Sequence, residues 1–496
     1  MTPPADAPLR PLAKGARADV LAALRASVAQ RADAWVQRSV EAKGWRDVRG
    51  AFAEEWASGP LPVARFLAHL NSGESARGAD QIPWRIPGLG DRLLLRGYRV
   101  RVHVAPGGAA AQHDGAGSSA LVLGAGNVTA TPLLDVLDQV FCRARAVVLK
   151  LSPLHRDLRD LFEQALAPLV ARNVVRIVSG DAAAGRSLAQ LADVDAVHVT
   201  GSAATWAALR ADPALRGKAL SAEVGCCTPA LVLPGMWRER ELRHAAAQLA
   251  GFVAANGGAT CIAPRVLLTA ASWPQRPALR EHLRLAFAAL PARVPFHPGV
   301  RDHHAVASGT PAPAGALRPV LTAERDLRTE AELSGYELFA PVLREVALPG
   351  DDVAAFLRHA TAFARERCFG SLSAYVLGPP HVLAPARAVV DAAIEALPHG
   401  TIAINTWTGV GYGLGSTPWG VRPAAPIEHG SGWTRNTTGR DVERVVIEAP
   451  FRPHPLPPWS TSHRAARAML RALTMHTLQP WLLRLAGVAA RALASP

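Results

Sequence analysis

No two cysteines in this 496-residue chain are spaced as Cys-x-x-Cys, and there are only five: Cys142, Cys226, Cys227, Cys261 and Cys368. So sparse and odd a set excludes a disulfide scaffold and points to reduced thiols in a cytoplasmic chain. No apolar run reaches the ~18 residues a membrane-spanning helix needs, and the N-terminus lacks the charged-then-apolar pattern of a secretory leader. Nor is there a tight Lys/Arg run interleaved with aromatic residues, so nucleic acid is not an expected partner. No internal repeat is visible. What is present is ample core material, 49% hydrophobic residues against 19% charged, in a chain long enough for two or three domains. The formal charge of +14 is carried largely by arginine and favours anionic ligands such as nucleotides, or acidic lipid surfaces.

Several familiar patterns fail on inspection. Gly124-Ala-Gly126 follows a strand-like run and precedes a helical one, but Thr129 stands where a dinucleotide fingerprint needs its third glycine. Gly180-Asp-Ala-Ala-Ala-Gly-Arg-Ser187 has phosphate-loop spacing with Arg186 in place of the lysine. His297, His303 and His304 fit no metal-ligand spacing, and no metal is expected. Cys226 and Cys227 are adjacent, which suits core packing better than pairing.

Short β-rich runs at 120–123, 146–150, 174–178, 196–199 and 230–233 alternate with helix-period segments at 132–142, 154–171, 182–193 and 203–212. Such alternation predicts an α/β fold with a doubly wound, Rossmann-like parallel sheet that binds ligands at its carboxyl edge. Leu242, Ala246, Leu249, Phe252 and Val253 then form one helical face leading to Asn256-Gly-Gly-Ala-Thr-Cys261. A thiol just beyond a Gly-Gly loop is where a fold presents a nucleophile, although an isolated cysteine is more often a small core residue. A carboxylate, Glu223, lies 38 residues upstream at the edge of another strand-like run.

Six segments, in order, resemble motifs of the aldehyde dehydrogenase superfamily over roughly residues 90–450. Gly126-Asn-Val-Thr129 resembles its Asn-Phe-Pro turn, Val147-Val-Leu-Lys150 its lysine-bearing strand and Thr200-Gly-Ser202 its cofactor-phosphate turn. Ala222-Glu-Val-Gly225 resembles Glu-Leu-Gly-Gly, Asn256–Cys261 the active-site cysteine motif, and Glu337-Leu-Phe-Ala-Pro-Val342 the Glu-Ile-Phe-Gly-Pro-Val motif. Two departures stand out. Cys227 occupies the place of a usual lysine, and Pro153 that of the glutamate that holds the adenosine ribose hydroxyls, with His155 and Arg156 nearby. The resemblance therefore implies NAD or NADP without choosing between them.

The resemblance also implies roles. Cys261 attacks an aldehyde, Asn127 donates to the oxyanion beside the Cys261 amide, and Glu223 activates the water that hydrolyses the thioester. The thiol must ionise below its free value, which calls for a positive charge or a base nearby. Lys150 and Glu337 bind ribose hydroxyls, Gly201 and Ser202 the phosphates, and Phe339 packs beside the nicotinamide. Trp407 either lines the aldehyde pocket or is simply buried.

The expected organisation is N-terminal helices and the cofactor domain over 1–226, with a hairpin near 95–122, then a catalytic α/β domain over 227–420. A return segment with a small β oligomerisation element covers 421–455, for a homodimer or homotetramer; the strand-like runs 98–103 and 442–449 are either edge strands or surface hairpins. Residues 456–496 form a basic amphipathic tail. Past Glu448 there is no acidic residue but six arginines, so the tail is expected either to touch the inner face of an anionic membrane, favouring a lipophilic aldehyde, or to pack on protein. Three activities stay open: hydrolytic aldehyde oxidation, a coenzyme A-acylating or acyl-CoA-reducing variant, and a silent binding or structural homologue. The acylating relatives generally lack the general-base glutamate, so Glu223 favours hydrolysis.

Overall fold

A computed structural model describes residues 8–72, 81–84, 86, 88–104, 118–322, 337–434 and 442–493. Its strands, in chain order, begin with β1 (Gln81–Trp84), β2 (Arg99–Val104), β3 (Ser119–Leu123), β4 (Ala146–Lys150) and β5 (Val175–Val178). They continue with β6 (Ala196–Gly201), β7 (Ala219–Val224), β8 (Thr228–Val232), β9 (Pro264–Ala270), β10 (Val320–Leu321) and β11 (Val342–Leu348). The last five are β12 (Ser373–Leu377), β13 (Thr401–Ile404), β14 (Trp419–Gly420), β15 (Trp433–Thr434) and β16 (Val442–Glu448).

Five strands form a wholly parallel sheet in the order β5-β4-β3-β6-β7. The chain winds outward from β3 in both directions, so a crevice opens at the carboxyl ends of β3 and β6, where the order reverses. The helix over 154–171 is broken into 153–158, 159–165 and 167–170, with Pro153 and Pro168 each near the start of a turn. The run at 230–233 does not join this sheet; it lies in β8, inside the second one. The fifth strand of the small sheet is instead β7, which carries Glu223.

The second sheet has nine strands in the order β1-β2-β16-β13-β12-β8-β9-β11-β10. Its central strands are buried along their whole length, as expected for parallel strands covered on both faces. Its outer part differs from expectation. The strand over 99–104 does not pair with β3 as a hairpin near 95–122 requires, because β2 pairs with β1 and β16 while β3 lies in the other sheet; residues 105–117 of that span lie outside the described residues. β16 pairs with β2 on one side and β13 on the other within the same chain, so neither β2 nor β16 is an edge. The alternation in 98–103 marks a strand with one buried face, and alternation alone carries no information about which strand lies beside it.

The helices over 17–42 and 60–72 share a core with the helix following β3, and the helix over 51–58 packs on those two; Trp35 Nε1 donates to Thr129 Oγ1 at 3.0 Å. The C-terminal helix over 466–478 closes on this layer. Met469, Leu470 and Leu473 are buried with Val36, Trp56 and Leu61, so most of the tail's apolar face is spent on protein. Trp481 and Leu483 remain exposed. No helix among the described residues is long and apolar enough to cross a membrane.

Candidate active site

The helix Glu239–Ala254 buries Leu242, Ala246, Leu249, Phe252 and Val253 and delivers the chain to a tight turn. Asn256, Gly257 and Gly258 there take φ of 53°, 65° and 81° in succession. Asparagine and glycine are the residues that tolerate this left-handed backbone. At Gly258 a Cβ would also lie 2.3 Å from the Pro341 nitrogen, so no larger residue fits. The turn lifts Cys261 away from the helix just ahead of β9, and its thiol is half-buried.

Asn127 reaches this loop from the turn after β3. Its Nδ2 donates to Ala259 O at 3.2 Å, and Asn256 Nδ2 donates to both Asn127 O and Ala259 O at 2.8 Å. Asn256 is held in turn by Lys43, whose Nζ donates to Asn256 Oδ1 at 2.7 Å and to Glu55 at 2.5 Å. Glu223 arrives from the end of β7, and its Oε1 accepts from Trp419 Nε1 at 2.8 Å. Cys261 packs in one cluster with Cys226, Ile262, Leu372, Trp419 and Val421, beside Trp407 and Tyr412.

The chain crosses from β7 to β8 through Gly225, Cys226 and Cys227. A Cβ at Gly225 would sit 1.7 Å from Glu337 Oε1, so this position requires glycine if Glu337 is to lie where it does. Glu337 Oε1 is enclosed and has no hydrogen-bond partner in the described structure. Burial pushes its carboxyl up to about 8; Arg265 opposes the rise and Glu223 adds to it. Arg265 is wholly enclosed and donates to Gly258 O, Thr260 O and Ala340 O, tying the cysteine loop to the Glu337 segment.

Burial raises the Cys261 thiol well above its ordinary value, and Glu223, Glu337 and Cys226 push the same way. The leading influences on the Cys261 thiol are thus burial and acidic groups rather than the positive charge expected beside it. Near it stands a carboxylate, Glu223. Cys227, in the place of the usual lysine, lies 3.9 Å from Arg344 Nη2 and is lowered to about 7, chiefly by a hydrogen bond from the Cys368 thiol.

Of the predicted cofactor residues, Lys150, Gly201 and Ser202 stand at the carboxyl edge of the five-stranded sheet, whereas Glu337 lies with the Cys261 loop. Lys150 ends β4, with burial lowering its pKa against a smaller opposing effect of Asp181. A cavity of about 380 Å³ opens beside it, lined among others by Ser152, Pro153, Arg156, Ser179 and Asp181. Gly201 ends β6, and Ser202 caps the helix Ala203–Ala211 by accepting from Thr205 N at 3.2 Å. Phe339 is half-buried and its ring lies 5.0 Å from that of His297. Trp407 stacks 6.5 Å from Phe252 while also packing against the cysteine cluster. No cluster of potential metal ligands occurs among the described residues.

Sequence reasoning missed Trp419 and the Lys43–Asn256 contact. A buried tryptophan must place its N–H somewhere, but sequence does not say where.

Residues 146–301 match the model of the aldehyde dehydrogenase family. No curated protein matches the chain. Among solved structures, a putative aldehyde dehydrogenase from Burkholderia cenocepacia is similar at 18% identity and TM-score 0.60, over 87% of this chain and 86% of that one. Aldehyde dehydrogenase C from Pseudomonas syringae, in complex with NAD+ and octanal, is similar at 16% identity and TM-score 0.61, over 89% and 85%. A Mycobacterium tuberculosis aldehyde dehydrogenase complexed with NAD+ gives 19% and 0.58, over 85% and 82%. At these identities the structural matches establish the fold. The family match itself spans residues 146–301, less than half of the chain.

Proposed function

We propose that the chain oxidises an aldehyde to a carboxylic acid with NAD or NADP, through a thioester on Cys261. The observation that carries this reading is that Asn127 Nδ2 donates to Ala259 O in the Cys261 loop, while Trp419, packed in the Cys261 cluster, donates to Glu223.

The residues fit a nicotinamide dinucleotide. The cavity beside Lys150 would take its adenosine end, with Lys150 on the ribose. The backbone N–H groups after Gly201 and Ser202 would face its phosphates. The enclosed Glu337 Oε1, which has no partner, suits a ribose hydroxyl, and Phe339 would pack against the ring. Similar structures from Pseudomonas syringae and Bacillus halodurans hold NAD+ and NADP respectively. When bound, the dinucleotide supplies the hydride acceptor.

The chain's own residues do the rest. The Cys261 sulfur, its proton given up to solvent, bonds to the carbonyl carbon as the carbonyl electron pair moves to oxygen. That oxygen is held by Asn127 Nδ2 and the Cys261 N–H. Hydride loss restores the C=O bond as a thioester. A water oxygen then bonds to that carbon as its proton goes to the ionised Glu223, and the C–S bond breaks to release the acid and the Cys261 thiolate; Glu223 returns its proton to solvent. The burial that raises the resting thiol also keeps bulk water from the adduct. Tryptophan and tyrosine walls at Trp407, Trp419 and Tyr412 favour an apolar aldehyde. Membrane contact by residues 456–496 forms no part of the proposal, because the fold already uses most of their apolar surface.

The test is steady-state oxidation of short, long and aromatic aldehydes with NAD and with NADP, with and without coenzyme A. The parent should release free acid without coenzyme A, and Cys261→Ser should lose about a thousandfold or more in kcat. A coenzyme A-dependent product would favour the acylating variant. Equal rates for parent and Cys261→Ser would end the proposal.

A further inference from the structure

Trp419, a residue outside every motif discussed above, holds the proposed base. We propose that Trp419 is a positioning residue for Glu223: its indole N–H, donating to Oε1, keeps the carboxylate turned toward the attacking water. This rests on the hydrolytic reading of the site.

Indole nitrogen is a donor only, so it holds a carboxylate better than a carboxylic acid. A carboxyl group otherwise turns easily about its last torsion. At 2.8 Å, with Trp419 fully buried, the contact is direct. The indole itself is fixed. Its ring meets Tyr412 edge-on at 5.4 Å, and Tyr412 hydrogen-bonds through its hydroxyl to Thr131 Oγ1 at 2.6 Å. Thr131 opens the helix just after the turn that carries Asn127, so oxyanion donor and base are referenced to the same segment.

Backbone contacts give a second, independent support. β14 pairs with β15, and the loop between them docks on β7: Glu223 bridges to Gly430, and the Ala222 amide donates to Ser431 Oγ at 2.7 Å. Side chain and main chain thus present the indole and the carboxylate to each other at one place. The titratable groups that share this chamber are Cys261, Glu337 and Cys226, with Arg265 acting on Glu337. In the deacylation step the water oxygen bonds to the thioester carbon, the C–S bond breaks and the water proton moves to Glu223. A carboxylate free to rotate away from that proton slows this step alone.

Trp419→Phe keeps the ring and removes the donor. The expected result is a retained burst of about one NAD(P)H per site with a steady-state rate lower by about tenfold or more, KM for the aldehyde changing by less than about twofold. The acid limb of kcat should move to higher pH, since a donor that favours the ionised carboxylate is gone. A kcat within about twofold of the parent, or a burst lost in proportion to the steady state, would overturn the proposal. A second measurement needs no turnover: in 15N-tryptophan-labelled protein, Glu223→Gln should move one indole N–H resonance, the one absent from Trp419→Phe. If no indole resonance moves, the hydrogen bond is absent and the proposal fails even if aldehydes are oxidised. A parent that oxidises no aldehyde, with the resonance moving as expected, would instead defeat the hydrolytic reading.

Discussion

At the carboxyl edge of the five-stranded sheet, polar side chains are held by their neighbours in sequence; in the chamber around Cys261 they are held by partners far away. Ser152 accepts from Leu154 N, Asp181 from Ala184 N and Ser202 from Thr205 N, each two or three residues on. Glu223 is held by a residue 196 positions away, Asn127 by one 132 away and Asn256 by one 213 away. The first region is built from helix caps and faces solvent, so its groups are cheaply satisfied and locally determined. The second encloses carboxyl and thiol groups together, and burial displaces both Cys261 and Glu337 upward. Reactive groups in such a site depend on long-range packing, and their protonation is a property of the fold.

Three perturbations would break or sharpen this contrast. The largest effect is expected in the chamber: Asn127→Ala should cost about a hundredfold to a thousandfold in kcat, with cofactor KM little changed. A loss confined to cofactor KM would assign Asn127 to the other region. A pH effect comes next. Burial holds the proton on Glu337 up to about 8 in the folded chain, against an ordinary glutamate value of 4.5. Between these limits the folded state binds more protons than the unfolded one, so stability should fall as pH rises, by at most about 1.4 kcal/mol per unit. Thermal melts of the unliganded protein from pH 5 to 8 should lose that component in Glu337→Gln; an unchanged pH dependence would mean the carboxyl is not enclosed as described. The smallest effect belongs to the solvent-facing cleft. Asp181→Asn retains a good cap but removes a negative charge from the cavity beside Lys150 and Arg156. It should lower KM for NADP relative to NAD by about threefold, a change that salt diminishes. A change in kcat instead would show that the two regions are coupled.

The same contrast explains what could be read in advance. The strands and caps of the five-stranded sheet follow from periodicity and from residues a few positions apart, so Lys150, Gly201 and Ser202 could be placed at strand ends from their flanking runs. Asn256-Gly-Gly-Ala-Thr-Cys261 was legible for a related reason, since consecutive left-handed residues demand Asn and Gly whatever surrounds them. By contrast, the run at 230–233 resembled the strands before it, and nothing local told it to enter another sheet. β16 alternates as an edge strand would, yet lies between β2 and β13. The tail's apolar stripe gave no sign whether lipid or protein would cover it; the helices over 17–42, 51–58 and 60–72 supply that cover.

By itself the sequence determined the βα alternation, the glycine turn that presents Cys261 and the family of motifs, because these depend on backbone sterics and on hydrogen bonds between near neighbours. Only the tertiary structure decided that Trp419 meets Glu223, that Lys43 braces Asn256, and that burial and nearby carboxyl groups push the Cys261 thiol upward. Those outcomes depend on which distant surfaces come together and how much water they exclude, and no local pattern encodes either.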